Sequence, residues 1–406
     1  MAPLRLALAL LLLLPLPLRA AESRLGTLLR WYLAEPVASR REEILEAIRE
    51  ASGNDPATVA AAIRKGLHYA WPEAPVFGKG GKAPDYGPYR PRIQPVGASA
   101  GDYAELLLPP GYDRSRGWPL HLDLVPFDLP PSADAVTVRL DLRRHPEAAT
   151  EAQAAEMLVL SLLAETMDLV HIDAARVFLR GQDARAELAW YIALQNPDRF
   201  AGLVVGGACW KDGDELVGHG RYFGTLMVVR RQQDLRQKAF LDALGKLHPG
   251  HLVLPASADH GRIADWLGRT ARWAAPTRIE LACNRPAVAR AYWLRAAPRE
   301  RSLKKEQIGG QWNSTGLRIP ASITASLDAN QKNLVTVTTD RINAFWICAD
   351  PSMFDAGEPL RVRVDGSVAV AKYIDYDIAY LLEDYAERRD PLLLCSSRLA
   401  FTVRGP

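Results

Sequence analysis

The sequence predicts an α/β protein in which a mostly parallel sheet lies between an N-terminal helical segment and a C-terminal all-β sandwich. The chain has 406 residues, 48% hydrophobic and 24% charged, so it is long enough for two or three folded domains and too apolar to be disordered. Short apolar runs alternate with helical patterns through its middle part. The last third changes to alternating Val, Thr and Ile, which is typical of half-buried strands.

The first 20 residues have the pattern of a secretory signal peptide. A basic start precedes an apolar run over residues 6–14, and small residues are found at the end of the segment, at Ala20. The run is too short to span a bilayer as an ordinary helix, and Pro15 and Pro17 lie directly after it. We therefore predict cleavage after Ala20, a secreted location (periplasmic or extracellular) and no transmembrane segment beyond this leader, with an uncleaved anchor as the alternative.

Residues 21–100 are predicted to form a helical segment and then a linker. Helical periodicity and good helix formers cover residues 24–70, and a helix start is indicated at Asn54-Asp55-Pro56, where Asp caps and Pro occupies the first turn. From Trp71 to Ala100 the composition shifts to Gly, Pro and Lys. This stretch lacks the spacing of a phosphate-binding loop, so we interpret it as a linker.

Residues 101–275 carry the strand and helix alternation of a doubly wound sheet. Helical patterns at about 151–168, 184–196, 236–246 and 262–273 separate apolar runs that we expect to be strands. Those runs are Tyr103–Leu108, Leu120–Val125, Val136–Leu140, Val177–Leu179, Leu203–Val205, Leu226–Val229 and Leu252–Leu254.

Residues 276–406 are predicted to form a β-sandwich of antiparallel strands, as in Leu334–Thr339 and Leu360–Val364. Four aromatic residues in this part form either core or a carbohydrate-stacking surface: Tyr292, Trp293, Phe345 and Trp346. Cys348 and Cys395 each end an apolar run. They either pair as a disulfide or remain buried thiols.

The most informative stretch runs from Ile172 to Trp190. A buried strand leads into a turn that begins with Gly181 and passes at once into a helix, and Pro197-Asp198-Arg199-Phe200 comes after that helix. This layout resembles the nucleophile elbow of the α/β-hydrolase superfamily, in particular secreted esterases of the polyhydroxybutyrate-depolymerase and feruloyl-esterase type and prolyl-oligopeptidase-like domains. The resemblance implies a nucleophile position at Asp183.

Three further segments are similar to the same family and occur in its order. Tyr103–Tyr112 is similar to the entry strand, and Leu226–Asp234 is similar to the strand that carries the triad acid. Asp259-His260-Gly261 is similar to the histidine segment. The resemblance therefore implies Asp234 as the acid and His260 as the base, in the order nucleophile, acid, histidine that this fold uses.

The departures from the family pattern concern the chemistry itself. Asp183 stands where the family has Ser, and Arg185 stands where it has the last elbow Gly. Val125-Pro126-Phe127-Asp128 replaces the oxyanion turn, and Pro126 has no N–H to donate to a developing negative charge. The site is altered at several positions at once, which favours a catalytically degenerate relative with a binding or structural role.

Two other functions stay open on the residues alone. Asp183 could act as a carboxylate nucleophile, with His260 activating water and Asp234 orienting it, on ester or related substrates. Alternatively, the C-terminal β unit could bind a carbohydrate or a surface. We expect a small-molecule ester, peptide or carbohydrate as ligand, and no cofactor or metal. Because 50 Lys and Arg against 47 Asp and Glu leave a formal charge of +3, nucleic acid is not an expected partner.

Overall fold

A computed structural model describes most of the chain outside the predicted linker. The described residues are 16–66, 104–113, 115–125, 133–144, 151–207, 214–229, 235–248, 250–255, 260–273, 275–285, 289–299, 303–308, 311–317, 320–355, 357–367 and 370–403. The predicted linker at 71–100 and most of the predicted leader lie outside these residues.

A seven-stranded sheet forms the centre of the fold, with the strand order β1-β3-β2-β4-β5-β6-β7. All neighbouring pairs in it are parallel except β1 with β3. The predicted mostly parallel sheet is therefore confirmed. Its strands are β1 (Glu105–Leu107), β2 (Trp118–Leu124), β3 (Val136–Leu140), β4 (Ile172–Gln182), β5 (Gly202–Gly206), β6 (Gly224–Val229) and β7 (Leu252–Pro255).

Eight α-helices are present among the described residues. They are α1 (Leu16–Ala34), α2 (Ala38–Ser52), α3 (Pro56–Arg64), α4 (Ala152–Leu169), α5 (Ala184–Gln195), α6 (Leu235–Leu247), α7 (His260–Arg269) and α8 (Ile378–Arg388). None of the described helices is long and apolar enough to cross a membrane.

Both faces of the parallel sheet are covered by helices, which explains why its strands are nearly continuous apolar runs. Helices α4 and α5 cover one face, where Leu122 and Leu179 lie in the same apolar core as Trp190. Helix α7 covers part of the other face, where Trp266 packs against Phe178 with ring centroids 5.9 Å apart.

The N-terminal helices form a small apolar core with a helix from the other end of the chain. Leu29 of α1, Ile48 of α2 and Ile63 of α3 share this core with Leu382 of α8. The described buried residues of α1 all come after Ala20, so cleavage at that point would leave them on the mature chain. At the start of α3 the Asp55 carboxylate accepts from the N–H groups of Ala57 and Thr58 at 3.0 Å, as the sequence predicts for a cap.

The C-terminal part forms two sheets that share one apolar core. One has the order β17-β16-β14-β13-β8 and the other the order β18-β15-β10-β9, and β11 and β12 form a separate pair. The strands are β8 (Arg278–Cys283), β9 (Ala289–Ala291), β10 (Leu294–Pro298), β11 (Leu303–Ile308), β12 (Gln311–Leu317), β13 (Ala321–Leu327), β14 (Leu334–Asp340), β15 (Ile342–Ala349), β16 (Leu360–Val364), β17 (Val370–Lys372) and β18 (Ser397–Thr402).

One expectation about this part needs correction. The strands are not all antiparallel, because β14 and β16 pair in parallel. The chain crosses to the other sheet at β15 and returns to lie beside β14, and such a crossover aligns the two strands. Of the four aromatic residues, Tyr292, Trp293 and Phe345 are at most 3% exposed and belong to the core, as one of the two alternatives predicts, whereas Trp346 is half-buried.

Candidate functional site

The elbow predicted from the sequence is present at the end of β4. Asp183 is the single residue between β4 and α5, and its backbone has φ 52° and ψ −122°. Residues other than glycine rarely adopt this combination, and it is the strain that a nucleophile elbow places on its tip residue. The Asp183 N–H donates to the Gly206 carbonyl at 2.7 Å, and its carbonyl accepts from the Ala186 N–H at 3.0 Å.

Two glycines allow the chain to turn this sharply. A β-carbon on Gly181 would lie 2.4 Å from the Arg185 carbonyl oxygen, which is far inside van der Waals contact. A β-carbon on Gly207, whose φ is 97°, would lie 2.7 Å from Oδ1 of Asp183. Gly181 thus permits the strand and the helix to cross closely, and Gly207 leaves space for the carboxylate.

The Asp183 side chain is exposed at the carboxyl edge of the parallel sheet, where open α/β folds place their sites. It makes no capping hydrogen bond to α5. The carboxylate lies at the N-terminus of α5, where the helix dipole attracts negative charge.

Arg185, two residues after the tip, changes the electrostatics of the elbow. Its guanidinium is half-buried, and burial lowers its pKa, an effect that Asp141 opposes and Arg143 reinforces. Both lie just beyond β3 at the same edge of the sheet, where Arg143 Nε donates to Asp141 Oδ1 at 2.9 Å. The charges of Asp141 and Arg143 therefore act on Arg185 beside the elbow.

A buried ion pair joins β2 to β4 just before the elbow. Asp123 of β2 and Arg180 of β4 are register partners, and both side chains are at most 2% exposed. The Arg180 Nη2 donates to Asp123 Oδ2 at 2.7 Å, and its Nε donates to Oδ1 at 2.5 Å. Burial raises the pKa of the Asp123 carboxyl, and the Arg180 guanidinium opposes that shift. A bidentate pair at this depth fixes the two strands against each other beneath the elbow.

The other predicted site residues cannot be joined to Asp183. Asp234 and the replaced oxyanion turn Pro126-Phe127-Asp128 lie outside the described residues. His260 is the first residue of α7, but its side chain is not described. The strand, the turn at Asp183 and the helix therefore follow one another as predicted. The grouping of Asp183 with Asp234 and His260 stays a prediction.

Sequence reasoning missed the charged surroundings of the elbow. Asp123 and Arg180 are 57 residues apart, and only the register of β2 against β4 brings them together. A charged residue in the middle of each apolar run was the available signal, because a lone charge in a fully buried strand requires a partner. Among the described residues no cluster of three or more His, Cys, Asp or Glu side chains could hold a metal.

The comparisons with known proteins do not assign this chain to a family. No protein-family model matches the sequence, and no curated protein matches it. The isopeptidase AtxE2, with Astexin3-dC4 bound, is 15% identical over 41% of this chain and 37% of that chain, with a TM-score of 0.33.

Two solved esterases show similarity of the same order. A thermostable esterase is 11% identical over 46% of this chain and 64% of that chain, with a TM-score of 0.36. A ferulic acid esterase from Anaeromyces mucronatus, in complex with ferulic acid, is 13% identical over 41% of this chain and 82% of that chain, with a TM-score of 0.29. Similarity at this level says nothing about the activity of this chain, whose fold is defined by its own strand order and elbow.

Proposed function

We propose that this protein is a catalytically inactive relative of the esterases and peptidases that use the α/β-hydrolase fold, and that it works by binding. The observation that carries the proposal is the tip of the elbow, where an exposed Asp183 occupies the strained backbone position of the nucleophile. The scaffold for nucleophilic attack is thus retained without the hydroxyl that attack on an acyl group would use.

Charge explains why a carboxylate at this position is a poor substitute for serine. Attack on an ester carbonyl creates an oxyanion, which must be stabilised by donors close to the tip. An ionised Asp183 would repel that oxyanion. In addition, Pro126 in the replaced oxyanion turn has no N–H to offer.

The burial of the aromatic residues in the C-terminal part argues against the carbohydrate-binding alternative. The remaining alternative is catalysis with Asp183 as the nucleophile. In it, Asp183 attacks a carbon atom of the substrate, and water then cleaves the resulting ester. The leader in residues 1–20 supports export of the chain, and we propose that it acts in the periplasm or outside the cell.

The test compares the full chain with its Asp183→Asn variant on a p-nitrophenyl ester, an epoxide and an alkyl halide. We expect equal background rates, because the proposal assigns no turnover to the carboxylate. Asn has nearly the same shape as Asp, so the comparison isolates the charge.

A single-turnover reaction in ¹⁸O-labelled water provides the second readout. If Asp183 were a nucleophile, water would attack its ester and leave one heavy oxygen in the carboxylate. Such labelling of the peptide containing Asp183, together with rates that depend on Asp183, would replace the proposal with the nucleophile alternative.

A further inference from the structure

A second polar site lies at the opposite edge of the parallel sheet from Asp183. The connection after α5, the ends of β8 and β9, and helix α8 meet there and bring together six arginines and four carboxylates. We call this group the seam cluster, and it consists of Arg199, Arg272, Arg285, Arg290, Arg295, Arg388, Glu156, Asp198, Asp384 and Asp390.

The aspartates of the seam cluster connect parts of the chain that are far apart in sequence. Asp198 accepts from Arg388 Nη2 at 2.7 Å and from the Tyr292 N–H at 2.9 Å. Asp390 accepts two bonds from Arg272, at 2.7 and 2.8 Å, and contacts Arg199 at 3.4 Å. The charged side chains in these contacts are at most 8% exposed, so the ion pairs are formed away from water.

The carboxylates do not balance the guanidinium groups of the cluster. Six arginines face four carboxylates, which leaves two positive charges in excess. Burial lowers the pKa of Arg199 to about 10, and Arg388 adds to the effect of burial in lowering the pKa of Arg290. Both shifts have the direction expected for desolvated cations, whereas neighbouring carboxylates raise the pKa of Arg272, Arg285 and Arg388.

Donors of the same arginines remain unused. The Nε atoms of Arg199, Arg285 and Arg290 are buried, and none has a hydrogen-bond partner in the described part of the structure. A buried guanidinium N–H without an acceptor is costly, and a bound acceptor would remove that cost.

A cavity of about 570 Å³ lies beside these arginines. Arg199, Arg285, Arg290 and Arg388 line it, together with Ser161 of α4. Its volume is in the range of pockets that enclose small molecules. Three acidic residues also line it: Glu156 is held by Arg285 at 2.6 Å, Asp198 is held by Arg388 at 2.7 Å, and Glu387 is exposed.

His219, which lines the same cavity, adds no charge to it. Its Nδ1 contacts the Leu194 carbonyl at 2.7 Å and its Nε2 accepts from the Ala282 N–H at 2.8 Å. With one nitrogen donating and the other accepting, the ring is a neutral part of the wall.

We propose that this cavity binds a small molecule through a carboxylate or phosphate group held by Arg199, Arg285, Arg290 and Arg388. Guanidinium groups match the planar or tetrahedral oxygens of such anions with paired donors. The site gives the proposed binding function a location, and it stands independently of whether the elbow is active.

The test uses inorganic phosphate and citrate as probes, with glycerol as the uncharged control, at constant ionic strength. We expect saturable binding of at least one anion to the full chain by calorimetry, and a matching rise in the melting temperature. Phosphate alone or citrate alone would identify which oxyanion the cavity prefers, and binding of both would show that it accepts either.

Two variants locate the binding. Arg290→Gln removes a lining cation, and Ser161→Glu places a carboxylate in the cavity without altering the seam cluster. We expect each to weaken anion binding by about tenfold or more, while Arg269→Gln, on the exposed side of α7, leaves it unchanged. Circular dichroism of each variant checks the fold, and Ser161→Glu remains informative if Arg290→Gln does not fold.

The proposal is overturned if the full chain binds neither anion saturably, or if binding is the same in Ser161→Glu. The rates on esters, measured on the same preparations, separate the two proposals. Anion binding together with Asp183-dependent turnover would refute the inactive elbow and keep this site. Absence of both binding and turnover would refute this site alone.

Discussion

The carboxylate of Asp183 occupies the space beside Gly207 that a side chain would fill, so that a β-carbon on Gly207 would lie 2.7 Å from Asp183 Oδ1. The tip of the elbow thus packs closely against the residue that follows strand β5. Both residues have positive φ values, 52° for Asp183 and 97° for Gly207.

This contact predicts non-additive effects on stability. Gly207→Ala should lower the free energy of unfolding by about 1–3 kcal/mol, because Ala must adopt a positive φ and displace the carboxylate. Asp183→Gly should raise it by about 1 kcal/mol by relieving backbone strain. In the double variant the cost of Gly207→Ala should fall by at least about 0.5 kcal/mol, measured by urea unfolding.

Gly245→Ala is the matched control for these changes. Gly245 lies in α6 with open space around the position of a β-carbon, so Ala should be neutral or stabilising by up to about 1 kcal/mol. Strict additivity of Gly207→Ala and Asp183→Gly would show that the two residues do not touch.

His219 predicts a loss of stability in acid. Burial lowers its pKa to about 4 in the folded protein, whereas the ordinary value is 6.5. The folded state therefore prefers the neutral ring, and its contribution is complete above pH 6.5 and lost as the pH falls towards 4. Between pH 7 and pH 4.5 the wild-type protein should lose about 2–3 kcal/mol more than His219→Gln, which cannot titrate.

The comparison with His219→Gln is needed because other buried histidines act in the same direction. Burial lowers the pKa of His251 to about 4 and places that of His121 well below its ordinary value. Urea unfolding at both pH values measures the difference. Equal losses in the two proteins would contradict the assigned contacts of His219 with Leu194 and Ala282.

Cys348 and Cys395 are buried free thiols, and the Cys395 Sγ donates to the Ser397 carbonyl at 3.3 Å. The neighbouring Cys395 thiol and the guanidinium groups of Arg295 and Arg290 lower the pKa of Cys348, against the opposing effect of burial. We predict that diamide oxidises the pair to a disulfide, the two thiols giving up two electrons and two protons to the diazene. Closing a loop of this length stabilises a protein by up to about 4 kcal/mol.

Mass spectrometry under non-reducing conditions detects the loss of two hydrogens, and thermal unfolding detects the stabilisation. Cys348→Ser should show neither effect. A chain that stays fully reduced in diamide, or that forms only intermolecular disulfides, would contradict the contact between these two thiols.

Several strands of the parallel sheet could be predicted closely because they are short apolar runs. The sequence indicated strands at Leu203–Val205 and Leu252–Leu254, and the structure has Gly202–Gly206 and Leu252–Pro255. Because both faces of these strands are buried, polar residues do not alternate with apolar ones, and the runs are easy to recognise in the sequence. The elbow was found for a related reason, since few sequences other than a Gly-led turn allow a strand to pass directly into a helix.

The charged contacts could not be predicted, because they depend on contacts between distant parts of the chain. Asp198 and Arg388 are 190 residues apart, and neither belongs to a local motif that indicates the other. The burial of the aromatic residues in the C-terminal strands could not be predicted for the same reason. Alternation identified Trp293 and Phe345 as strand residues but did not show that a second sheet covers them.

Labelling and turnover of the Asp183→Ser variant test the inactive elbow most directly. The substitution restores a hydroxyl at the tip, but Arg185 and the Pro126-Phe127 turn remain, and each missing oxyanion donor costs about 3–4 kcal/mol. We predict that neither the wild type nor Asp183→Ser reacts with a fluorophosphonate probe, and that the hydrolysis of short p-nitrophenyl esters stays near background. Rapid labelling of Asp183→Ser, with ester hydrolysis well above background, would contradict this account and show that an intact oxyanion hole surrounds the elbow.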